Sequence, residues 1–309
     1  MDTFLQQLIN GLVLGSVYAL VALGYTMVYG ILELINFAHG EVTMIGAMVA
    51  LSVIGALAGA HVDLPGIAIV LVGVLAAIPA CMLLGFTIER VAYRPLRNAP
   101  RLAPLITAIG VSILLQNLAM VIWGRQYISF PPILPRTTYH LGGATLSALQ
   151  IFIFVLSLVL MAGLIVLVPK TTLGRAMRAT AQSPQVAGLM GVNINSVISL
   201  TFIIGSALAA VAGVMVSAYY GIAHYYMGFL LGLKAFTAAV LGGIGNLGGA
   251  MLGGLLLGVI ESMGAGYIGD ITGGFMGSNY QDVFAFFVLI LVLVFRPSGL
   301  LGERVGERA

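Results

Sequence analysis

The chain has 309 residues, 60% of them hydrophobic and 7% charged, with a mean hydropathy of +1.10 and a formal charge of +3. A soluble domain carries about 25% charged residues, because a surface facing water needs them, so a water-soluble fold is excluded and lipid is the main solvent. At about 20 residues per crossing, the composition predicts an all-α, polytopic transmembrane helical bundle of roughly eight to ten spans, broken or re-entrant segments included.

The placement of charge says more than its sum. Arg90, Arg94, Arg97 and Arg101 cluster in one linker, Lys170, Arg175 and Arg178 in a second, and Arg296, Arg304 and Arg308 in the tail. Positive residues in short loops stay on the cytoplasmic side, which places all three segments inside. Each cluster is short and lies beside a span, so a nucleic-acid surface is not expected. Cys81, the only cysteine, rules out an internal disulfide and reads as a small buried residue. The N-terminus shows neither a basic n-region nor a clear small-residue cleavage site, so the first apolar stretch is expected to be a retained span.

That stretch runs from about Phe4 to Val28, with Gly11 and Gly15 one helical turn apart, a spacing that lets another helix approach closely. The polar INFAHGE, Ile35 to Glu41, interrupts it. Apolar sequence resumes from Val42 to about Leu57, and a third span, Ile67 to about Ile88, ends at the linker ERVAYRPLR. Three crossings before the first arginine cluster put the N-terminus outside; if INFAHGE joins two crossings, the N-terminus is inside and the count rises by one. A fourth span covers about Leu102 to Trp123. The segment Gly124 to Ser147 holds Pro131, Pro132 and Pro135, which remove backbone donors, and is expected to be an outer loop. A fifth span, Leu149 to Val168, leads to the inner loop of about 170–195, and a sixth covers Val197 to Ala218. Met227 to Leu241 is short for a crossing and contains Lys234. The turn GGIGNLGG follows, then an apolar run from Ala250 to about Met263 with glycines at 249, 253, 254 and 258. An outer loop, Asp270 to Asp282, precedes the last span, Val283 to Phe295. The interruptions near Asn36 and Lys234 occupy corresponding places in the two halves, a pointer to an internal repeat around a central site.

Within the inner loop, Ser183 suits an N-cap, Pro184 the first helical position and Gly191 a C-terminal stop. Val186, Ala187, Gly188, Leu189 and Met190 lie between them, and Val186, Leu189 and Met190 form one apolar face. A two-turn helix has little stability alone, so it packs either on its own membrane domain or in a groove on a partner.

INFAHGE, ERVAYRP, GRAMRATAQSPQVAGLMGVN, KAFTAAVLGGIGNLGG and the closing RPSGLLG occur in this order along nearly the whole chain. Together they resemble the LivH-type permease of branched-chain amino-acid ABC importers. The resemblance implies a single permease domain over residues 1–309. It also implies a homologous, LivM-like second permease subunit, two cytoplasmic ATPases and a periplasmic solute-binding protein, with location in the bacterial inner membrane. It makes residues 183–191 the helix that docks on an ATPase. Substrate identity stays open, because related permeases serve amides, urea and other small solutes.

The chain itself is expected to hold no ATPase and no cofactor, ATP and Mg²⁺ belonging to the partners. A phosphate-cradling loop needs GxxxxGK[ST]; Lys170 follows Pro169, and Lys234 precedes Ala235. Gly243, Gly245 and Gly248 spell GxGxxG, but no βαβ unit can surround them in so apolar a chain. Lys234 costs about 2.5–3.5 kcal/mol if it sits near mid-membrane. It therefore snorkels to an interface, lines the pathway, or pairs with Glu261, the one acid well inside a late apolar run. Asn36, His39 and Glu41 are expected to satisfy a broken helix and are pathway candidates. So are Gln116 and Asn117, which otherwise bond between helices, and Asn246 in the glycine-rich turn. No metal site is expected, because His61, His140 and His224 are scattered over loops. Two rival classes remain. A secondary transporter or channel needs several acids or histidines within its spans; a membrane enzyme needs convergent nucleophile and base residues, and none converge.

Overall fold

In the computed structural model the described residues are 2–60, 64–97, 99–100, 102–133, 137–141, 143–275, 277 and 280–302. Arg101, Arg304, Arg308 and His61 lie outside them. In chain order the helices are α1 (Asp2–Leu32), α2 (His39–Gly59), α3 (Gly66–Ile88), α4 (Leu102–Trp123), α5 (Ala148–Lys170), α6 (Thr172–Gln182), α7 (Pro184–Leu189), α8 (Ile194–Tyr220), α9 (Met227–Gly242), α10 (Leu247–Ile271) and α11 (Gln281–Phe295). A π-helical turn, Glu89–Tyr93, and a 3-10 turn, Arg94–Leu96, continue α3.

Lipid offers the backbone no hydrogen-bond partners, so each apolar run closes its bonds internally as a helix. Among the described residues, seven helices are long and apolar enough to cross a membrane, and α9 and α11 are shorter apolar helices. The chain is a polytopic, multi-pass helical membrane protein. The expected outer loop is more ordered than its prolines suggested. It contains β1 (Ile128–Ser129), β2 (Thr138–Leu141) and β3 (Ala144–Ser147). Strand β2 pairs antiparallel with β3, Tyr139 opposite Leu146, while β1 pairs with β4 (Ile222–Ala223), Ile128 opposite Ala223. Pro131 and Pro132 fall between strands, where their missing donors cost no ladder bond.

The chain forms two compact units. In the unit of residues 1–26, 136–161 and 234–309, α1 and α10 meet through glycines. A Cβ on Gly11 would lie 2.6 Å from Val259 Cα, and one on Gly15 would lie 2.8 Å from Leu255 Cα. The spacing read from sequence is thus a seam where two backbones touch. The turn after α9 uses Gly243 at φ +107°, which only glycine adopts without strain. The closing RPSGLLG segment binds there, Leu300 N–H donating to Leu241 O (2.9 Å) and Leu301 N–H to Gly242 O (2.8 Å).

In the unit of residues 27–135 and 162–233, α2, α3 and α8 pack against one another. Gly46 of α2 faces Ala210 of α8, and Gly73 of α3 faces Ile54 of α2. Met44, Ile45, Met48 and Leu51 form a core with Ala119 and Ala223. Cys81 is buried and its Sγ lies 3.4 Å from Val42 O, as expected of a small packing residue.

Candidate functional site

The break between α1 and α2 assembles the first polar cluster. Glu33, at φ +52°, ends α1. Asn36 then nucleates α2: its Oδ1 accepts from Ala38 N–H (3.2 Å) and from the Tyr93 hydroxyl (3.0 Å), and its carbonyl accepts from His39 N–H (3.0 Å). Glu41, in the first turn of α2, is fully buried. Its Oε1 accepts from Ser112 Oγ (3.0 Å) and Gln116 Nε2 (2.7 Å) on α4, while Oε2 has no hydrogen-bond partner. The start of α9 closes over it: a Cβ on Gly228 would come 2.5 Å from Oε2, and Gly40 sits against Gly232. Two helix N-termini, those of α2 and α9, thus lie beside one carboxylate. Asn36, His39, Glu41 and Gln116 gather here. Asn117 does not: it is exposed and returns its amide to Ile113 O, 2.8 Å away on its own helix.

The second cluster surrounds Lys234. Its Nζ lies 2.7 Å from Glu261 Oε1 on α10 and 2.7 Å from Asp282 Oδ1 on α11. The Tyr18 hydroxyl donates to Glu261 Oε1 at 3.3 Å, and the Tyr18 ring lies 5.8 Å from Nζ. Of the readings open for Lys234, the pairing with Glu261 is present, and Asp282 is a second partner that sequence reasoning missed. Asn246 starts α10: its Oδ1 caps the helix by accepting from Gly249 N–H (3.0 Å), and its amide donates to Leu301 O (3.0 Å).

The third element is the segment after α5. Helix α6 was not anticipated. Its N-cap is Thr171, whose Oγ1 accepts from Gly174 N–H (3.1 Å), and it buries Gly174, Met177 and Thr180. Arg178 donates to the carbonyls of Val168 and Pro169, closing the end of α5. Helix α7 forms as its residues dictate. Ser183 Oγ accepts from Val186 N–H (3.3 Å), Pro184 opens the helix, and Gly191 at φ +85° ends it. Gly191 N–H then donates to Gly188 O and Val192 N–H to Ala187 O, a Schellman-type closure. Ala187 is 3% exposed, whereas Val186, Leu189 and Met190 are 57%, 87% and 81% exposed. The apolar edge faces away from the rest of the chain.

Residues 7–293 match the family described as branched-chain amino acid transport system / permease component. The chain is 50% identical to the high-affinity branched-chain amino acid transport system permease protein BraD of Pseudomonas aeruginosa, over 99% of this chain and 98% of that protein. It is 45% identical to the corresponding LivH protein of Escherichia coli, over 99% and 97%. A probable LivH protein of Methanocaldococcus jannaschii is 28% identical over 95% of this chain. The chain belongs to the LivH-type permease family.

As a LivH-type permease it is a transport component and not an enzyme, and its glycine-rich turn is a helix junction, not a nucleotide cradle. A further polar group in this permease, besides Asp282, escaped the sequence reading. Glu89, in the π turn, is fully buried and accepts from Arg94 Nε (3.2 Å), Arg94 Nη2 (2.9 Å), Ser199 Oγ (2.8 Å) and Arg97. Arg97 also donates to Asn195 Oδ1 (2.6 Å) at the start of α8. Counting arginines as an orientation signal hid the acid they neutralise; its adjacency to Arg90 and its position at a span's end were the available signal.

Proposed function

We propose that this chain is the permease subunit of a binding-protein-dependent ABC importer in the bacterial inner membrane. It moves branched-chain amino acids into the cytoplasm by ATP-driven alternating access. Residues 1–309 act as one permease domain beside a homologous, LivM-like subunit. Two ATPases beneath supply the energy, with ATP and Mg²⁺ bound on them, and a periplasmic protein delivers the solute. Solute passes alongside the buried polar groups of the first cluster, Glu41 and Gln116 foremost.

One observation carries the energy-coupling part of this reading. Helix α7 is too short to persist alone, yet it is capped at both ends, anchored by Ala187, and presents Val186, Leu189 and Met190 outward. Burying a leucine side chain contributes about 1.5–3 kcal/mol, so this edge suits a hydrophobic groove on an ATPase. Replacing Gly188 and Leu189 with charged residues in the assembled importer should uncouple ATP hydrolysis from uptake; unchanged uptake would refute the docking role. Liposomes holding the two permease subunits without ATPases should take up no solute, and uptake there would favour a secondary transporter or channel. Identifying the solute held by the cognate binding protein tests the substrate class.

A further inference from the structure

The charges around Lys234 do not balance. One ammonium, Lys234, faces two carboxylates, Glu261 and Asp282, each 2.7 Å away. Tyr18, from α1, also faces them, its hydroxyl donating to Glu261 Oε1. The side chains of Lys234 and Glu261 are 15% and 1% exposed, so water screens the excess negative charge poorly. Asp282 is the more open member, at 38%. Glu261 Oε1 and Asp282 Oδ1 each have Lys234 Nζ as an ion-pair partner, whereas Glu261 Oε2 is buried with no hydrogen-bond partner. A small recess lies at this point and is lined in part by Lys234, Thr237, Leu257, Glu261, Asp282 and Phe286. It has room for about one water-sized species.

We infer that this recess binds one small monovalent cation, either a proton on Glu261 Oε2 or a sodium ion held against it. Three observations converge: a net charge of minus one, an unpartnered carboxylate oxygen, and a space of matching size beside it. A divalent ion would overcompensate the charge, and an organic ammonium would not fit. Protonation takes one proton from water and leaves the cluster neutral, with the new hydroxyl able to donate. Sodium achieves the same neutrality through oxygen ligands, and Thr237 is among the lining residues.

The site is tested on the full-length chain in lipid nanodiscs. Thermal unfolding is followed while sodium chloride replaces choline chloride at constant ionic strength, and separately across a pH series, with infrared detection of a protonated carboxyl band. A proton site gives the band at neutral pH and a Tm that falls as pH rises, because a proton held only by the folded state links folding to proton uptake. A sodium site gives a Tm that rises with sodium and not with choline. Glu261→Gln, a neutral stand-in for the occupied state, should abolish whichever response the parent shows. Asp282→Asn removes the excess charge at the more open position and should abolish it too. A parent that responds to neither ion, or an Asp282→Asn variant that keeps the full response, would overturn the proposal.

Discussion

The glycine seam between α1 and α10 makes a sharp test of how this protein holds together. In Gly15→Ala the new methyl would lie 2.8 Å from Gly254 O, Leu255 Cα and Leu255 O, all backbone atoms that no rotamer change can move aside. Restoring ordinary contact at 3.4 Å requires the helices to part by at least 0.6 Å along that line. Overpacking of this kind costs about 1–3 kcal/mol, and parting also weakens dispersion contacts along the rest of the seam. Against this, alanine is better than glycine in a helix by about 0.8–1.0 kcal/mol. The clash wins, because it falls on rigid backbone and propagates to Gly11 one turn away. The net expectation is a loss of up to about 2 kcal/mol, read as the midpoint of a denaturing-detergent titration in mixed micelles. Gly110→Ala on α4 is the control: nothing lies within 4 Å of its added methyl, so propensity acts alone and the variant should gain up to about 1 kcal/mol. If Gly15→Ala were stabilised to the same degree as Gly110→Ala, the close approach would not exist and the reasoning would fail.

Other outcomes follow from the same geometry. Lys234→Met should lower the yield of folded protein. Exchanging the charges, Lys234→Glu with Glu261→Lys, should recover only part of it, because Asp282 then faces a like charge; size-exclusion profiles of the solubilised variants decide, and no recovery would refute the pairing. Ser183→Ala removes a cap worth about 1 kcal/mol, so amide exchange at residues 186–190 should accelerate while exchange in α8 stays slow; equal exchange in both proteins would refute the cap. Glu89→Gln leaves Arg94 and Arg97 without their shared carboxylate, and faster exchange is expected in 89–97 and at the start of α8. Protection unchanged from the parent would mean the cluster holds neither segment.

Much of the fold was readable because lipid enforces long apolar helices. The fourth span was placed at Leu102 to Trp123, its observed bounds, and the third began one residue late. Helix α6 was invisible to the same reasoning: it is a surface helix with one buried stripe, so hydropathy sees only a polar loop. Its signals were the Thr171 cap and the spacing of Gly174, Met177 and Thr180. Helix α7 was legible because capping chemistry is local, Ser183 and Gly191 acting on neighbours within a few residues. The Glu41 cluster was half legible. The polar run drew attention, but only tertiary packing brings Gln116 to Glu41 and leaves Asn117 outside. The same limit hid Asp282 from Lys234 and Ser199 from Glu89, since nothing in a linear sequence pairs residues so far apart.

The joint between α7 and α8 has a mechanical consequence. Gly191 and Val192 are committed to closing α7, and Asn193 caps α8 by accepting from Ser196 N–H at 3.2 Å. No residue is left over as slack, and an extended residue spans only about 3.3–3.6 Å in any case. A tug on α7 therefore cannot be taken up by a flexing tether; it must be handed to α8 as a rod. That rod has 27 residues, about 40 Å at 1.5 Å per residue, longer than the roughly 30 Å hydrocarbon core of a bilayer.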